Sequence, residues 1–131
     1  MEQNLKIIGS LLVILSLIHA VFPRYFNWEN ELKSLALINR KIMYVHTLFI
    51  GLILFLMGLL CFTSYREMMD TNLGKRLALG FCIFWTIRLV IQLFGYSSKL
   101  WKGKKFETTV HVVFVLLWTY FSVVFFLIYW Q

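Results

Sequence analysis

The sequence predicts an all-α integral membrane protein, a bundle of four transmembrane helices, and three observations carry that expectation. Four stretches run almost free of charge: residues 7–22, 42–65, 77–98 (interrupted only by Arg88) and 108–131. Most of them reach the roughly 20 residues that a helix needs to cross the hydrocarbon layer. Hydrophobic residues make up 60% of the 131-residue chain and charged residues 15%, a balance that a soluble domain of this size could not cover.

The spans are expected at about residues 5–22, 42–65, 77–98 and 108–130, which leaves no room for a separate soluble domain. The first is short and reaches spanning length only with Leu5 and Lys6, the lysine snorkelling to the headgroups. A cleaved signal peptide is the rival reading of that run. Glu2 and Lys6 make a weak basic start, however, and Ile18 and Ala20 a poor cleavage site.

Pro23 is expected to break the first span and turn the chain onto the membrane surface. In the stretch that follows, "NWENELKSLALINRK", Trp28, Leu32, Leu35 and Ile38 fall on one helical face. Asn27 would cap a helix there. Glu29 and Glu31 would sit in its first turn, Arg40 and Lys41 in its last, and Glu29 would pair with Lys33. A short interfacial helix over about residues 28–40 follows from this pattern. The second loop, "SYREMMDTNLGKR", is polar, with turn chemistry at Asp70, Thr71 and Asn72. The third, "GYSSKLWKGKKFET", mixes Tyr96, Trp101 and Phe106 with lysines, as membrane interfaces do.

Lys and Arg outside the spans set the expected orientation. The first and third loops hold Arg24, Lys33, Arg40, Lys41, Lys99, Lys102, Lys104 and Lys105, against Lys6, Arg66, Lys75 and Arg76 on the other side. Eight against four places those two loops in the cytoplasm and both termini outside, in a membrane such as the bacterial inner membrane. The net charge of +7 is then explained by basic loops resting on anionic lipid. Nucleic acid is excluded as a partner, because no folded extramembrane module exists to carry a basic face.

The polar residues inside the spans form the candidate site: His19, His46, His111, Arg88, Gln92 and Trp85. With the expected topology, the chain's three histidines lie about 5–6 Å below one membrane surface, with Gln92 deeper and Arg88 near mid-span. Phe81, Trp85, Arg88, Gln92 and Gly95 share a stripe, which puts Trp85 in cation–π reach of Arg88. Gly9, Ser16, His19 and Ala20 share a side of span one, and His111, Val115, Trp118 and Ser122 a side of span four. Thr47, Gly51 and Gly58 form a small-residue seam in span two, with His46 at its edge.

Several chemistries suit such a set. Convergent imidazoles at His19, His46 and His111 would ligate zinc or copper, and two of them would ligate haem b with Arg88 near its propionates. Alternatively the polar groups lock helices in a structural or accessory subunit, with a homo-oligomer or a partner membrane subunit completing the assembly. A lipid- or quinone-binding enzyme using histidine as acid or base is a third reading, although no nucleophile stands beside an orienting acid. Proton-coupled transport is disfavoured because no Asp or Glu lies inside a span. Cys61 and Cys82 fall near the opposite membrane face, where they would pair only if neighbours.

Overall fold

The computed structural model describes residues 1–95 and 103–131, and no strand occurs among them. In chain order the elements are α1 (Glu2–Tyr25), α2 (Trp28–Glu31), α3 (Leu37–Thr63), α4 (Tyr65–Asp70), α5 (Asn72–Val90) and α6 (Lys105–Trp130). A π-helical turn, Ile91–Gly95, continues α5. Four helices (α1, α3, α5 with its π turn, and α6) are long and apolar enough to cross a membrane. The chain divides into two compact units, Glu2–Tyr65 and Arg66–Gln131.

In the first unit α1 packs on α3. The buried stripe of α1 is Leu5, Ile8, Gly9, Leu12, Leu15 and Ser16; that of α3 is Gly51, Leu54, Met57, Gly58 and Cys61. Steps of three and four keep each stripe on one helical face. Glycine sets the approach. A Cβ on Gly9 would stand 2.7 Å from the Gly58 carbonyl oxygen, and one on Gly58 would stand 2.8 Å from that of Gly9. Lipid offers no hydrophobic drive for helices to associate, so van der Waals contact between close backbones supplies it. The small-residue seam expected in span two is this contact. Ala20, expected on the same face of α1, is exposed.

Two expectations about the first loop are corrected. Pro23 lies inside α1, which runs on to Tyr25, and the Phe26 N–H still reaches the Phe22 carbonyl at 2.9 Å. Proline removes one amide donor, a modest loss in a final turn whose bonding is already incomplete. The interfacial helix over residues 28–40 contracts to the single turn of α2. Asn27 precedes it with left-handed backbone (φ 53°) and no side-chain cap, although its carbonyl accepts from the Glu31 N–H at 3.0 Å. Arg40 and Lys41 belong to the start of α3 and not to the end of an interfacial helix. Growing a long helix backward by a turn, to the observed 27 residues, is cheaper than nucleating a second one. Glu29 and Lys33 make no ion pair within 4.0 Å among the described residues.

In the second unit α5 packs on α6. Thr71 caps α5: its Oγ1 accepts from the Gly74 N–H at 2.9 Å and donates to the Glu67 carbonyl at 2.6 Å. The third span thus begins at Asn72, five residues before the expected start, and takes in Lys75 and Arg76. Lys75 donates from Nζ to the backbone oxygen of Gln131. Aromatic rings build the seam: Phe81 meets Phe125 edge-on at 5.3 Å, and Trp85 meets Phe121 at 5.1 Å. Of the expected third-loop mixture, Tyr96, Lys99, Trp101 and Lys102 lie outside the described residues.

Candidate functional site

The second unit gathers Trp85, Arg88, Gln92 and His111 along its α5–α6 seam. Gln92 sits in the π turn and is only 6% exposed. Its amide Nε2 lies 2.9 Å from His111 Nδ1 on α6. An amide nitrogen can only donate, so Nδ1 accepts in this pair. The π turn inserts extra backbone into the helix, a local widening that frequently accompanies functional positions.

One turn earlier, the Arg88 guanidinium carbon lies 5.3 Å from the centroid of a Trp118 ring. This cation–π contact crosses to α6, where the sequence pattern had pointed to Trp85 on the same helix. Trp85 stacks on Trp118 instead, at 4.8 Å and 12°. Phe114 stacks on Trp118 as well, at 5.3 Å and 11°. Both indoles are almost wholly buried, and neither Nε1 makes a hydrogen bond among the described residues. Ring contact, not hydrogen bonding, holds them. In an apolar setting the cation–π term is at its strongest, about 2 kcal/mol. The ring contact gives a mid-span arginine a partner inside the seam.

His19 and His46 belong to the first unit. His19 is half-buried; its Nδ1 donates to the Leu15 carbonyl at 2.9 Å, and its ring lies 4.6 Å from that of Phe22. A Cβ on Gly51 would be 3.4 Å from the His19 Cβ, so the glycine seam leaves room for the imidazole. His46 is exposed and makes no side-chain hydrogen bond among the described residues. Among those residues, no group of three or more His, Cys, Asp or Glu side chains is placed to hold a metal ion. Cys61 and Cys82 are both free thiols.

The partners of the polar residues were not readable from the sequence. Trp118 stands seven positions after His111 on one face, yet nothing in a single chain pairs it with Arg88. The π turn is equally silent, because the apolar run continues through it unbroken. Tyr44, which meets Trp28 edge-on at 5.5 Å, reads only as one more aromatic in a span. No protein-family model matches the chain, and no curated protein and no solved structure matches it either.

Proposed function

We propose that the chain is a structural or accessory membrane component whose intramembrane polar side chains lock helix pairs. The observation that carries this reading is the hydrogen bond between buried Gln92 and His111, which joins α5 to α6. Arg88 on Trp118 adds a second polar link across the same seam. His19 bonds to its own helix, which also suits a structural role. By the excess of Lys and Arg in the first and third loops, those loops face the cytoplasm and the termini lie outside.

The rival proposal, a zinc, copper or haem b site at His19, His46 and His111, rests on their expected depth alone. In the Gln92–His111 pair Nδ1 is engaged as acceptor, so ligation through that nitrogen requires the pair to break. The two proposals separate in one experiment on the detergent-purified chain. Reversible unfolding in mixed micelles should show His111→Ala less stable by about 0.6–1.7 kcal/mol, the range for interhelical hydrogen bonds in membranes. His46→Ala should stay within about 0.5 kcal/mol of the parent. A Soret band or stoichiometric metal in the parent, lost in His111→Ala, would overturn the structural reading.

A further inference from the structure

Between α2 and the start of α3 lies a half-open cavity of about 160 Å³, lined by Trp28, Glu29, Leu37, Arg40, Lys41 and Tyr44. We infer that this cavity binds the phosphoethanolamine headgroup of a membrane phospholipid. It lies outside the helix-locking seam of the second unit and does not depend on that reading.

Depth comes first. The cavity lies between the end of one spanning helix and the start of the next, which is headgroup level for any bilayer these helices cross. Trp28 and Tyr44, which meet edge-on at 5.5 Å, line it, and such aromatic residues are typical of that level. The ligand most abundant there is a lipid headgroup.

Charge then selects the kind. Arg40 and Lys41 supply two cations and Glu29 one anion to the same wall, and no ion pair within 4.0 Å joins them. Arg40 Nε is buried and has no hydrogen-bond partner among the described residues. A buried guanidinium donor left alone is costly, and a phosphate oxygen is the acceptor that guanidinium geometry fits best. The start of α3 reinforces this. Ala36 offers no side-chain cap, and no acid stands in the first turn, so the positive helix end and two cations coincide.

An anionic glycerol headgroup would satisfy Arg40 and Lys41 but would offer Glu29 only neutral hydroxyl donors and no cation. Phosphoethanolamine carries both signs. Its phosphodiester matches Arg40 and Lys41, and its ammonium matches the Glu29 carboxylate and the faces of Trp28 and Tyr44.

The test uses the full chain, purified in detergent and stripped of lipid. Native mass spectrometry would follow its loading from an equimolar mixture of phosphatidylethanolamine and phosphatidylglycerol with matched acyl chains. The parent should retain phosphatidylethanolamine about tenfold over phosphatidylglycerol, the factor expected of one charge-assisted contact. Glu29→Gln should abolish that preference, and Arg40→Gln should lower retention of both lipids. If Arg40→Gln does not fold by circular dichroism, Lys41→Gln carries the same expectation. Equal retention of the two lipids by the parent, or an unchanged preference in Glu29→Gln, would overturn the proposal. So would displacement of the lipid by excess inorganic phosphate as readily as by glycerophosphoethanolamine, which would make the cavity a free-phosphate site.

Discussion

Gly58→Ala pushes α3 away from α1, and the expected loss of stability is about 1–3 kcal/mol, the usual cost of overpacking a closed contact. The new methyl would meet the Gly9 carbonyl oxygen at 2.8 Å, Val13 Cγ2 at 3.0 Å and Leu12 Cβ at 3.1 Å. Of these only Val13 Cγ2 can give a little, since the Leu12 Cβ is fixed by its backbone. The carbonyl belongs to backbone and cannot move without the whole helix. Gly9→Ala meets the mirror-image obstacle, at 2.7 Å from the Gly58 oxygen and 3.0 Å from both the Cβ and the amide nitrogen of Phe62. Once either change has opened the seam, the other finds room. The double variant should therefore lose clearly less than the two single losses added together. Gly80→Ala is the internal control: a Cβ there meets nothing within 4 Å, and stability should hold or rise slightly. Unfolding of the four proteins in mixed micelles checks the set.

Gly74→Ala should be at least as damaging, and the damage should be local. Gly74 lies in the first turn of α5, and its N–H donates to the capping Thr71 hydroxyl at 2.9 Å. An added Cβ would run into the Glu67 carbonyl oxygen and the Met68 Cα, both backbone atoms of α4. No rotamer relieves such a collision. Either α4 lifts away or the cap opens, and both expose Met68, which is now 1% exposed. A loss of about 2 kcal/mol or more is expected. Hydrogen exchange should quicken over Tyr65–Asp70 and the start of α5 while α6 stays protected. Thr71→Ala removes the cap without the clash and should lose only about 1 kcal/mol. Equal effects from the two changes would show that the cap alone, and not the close approach of α4, sets the tolerance at this position.

How far the sequence reveals this protein depends on the range of the interaction concerned. The four long helices are legible because hydrocarbon imposes a length and excludes charge, and both constraints act residue by residue along the chain. The glycine seam of α3 is legible for a similar reason, since small residues at helical spacing on one face mark a contact. Which glycine meets which carbonyl is not. That is a matter of register between two helices, and Gly9 and Gly58 acquire their meaning only together.

The first loop misled for a different reason. Its apolar spacing is real, but the helix it described competes with the backward growth of α3, and growth wins over nucleation. The same outcome moves Arg40 and Lys41 from the end of one helix to the start of another. It thereby brings them to a cavity with Glu29 and Trp28. In the second unit, Phe81, Trp85, Arg88 and Gln92 each meet a partner on α6, and for Arg88 spacing along its own helix suggests Trp85 as company. That company comes instead from Trp118 on α6. A guanidinium reaches several neighbours from one Cα, so spacing along its own helix does not choose among them.

The most direct test of the helix-locking account is a double-mutant cycle on Gln92 and His111, read by reversible unfolding in mixed micelles. Gln92→Leu, His111→Leu and the double change should reveal a coupling of about 0.6–1.7 kcal/mol. The double variant should lose less than the two single losses added together, because the amide and the imidazole that satisfy each other leave together. A coupling indistinguishable from zero, with each single change harmless to the fold, would contradict the account and leave this seam free for a ligand.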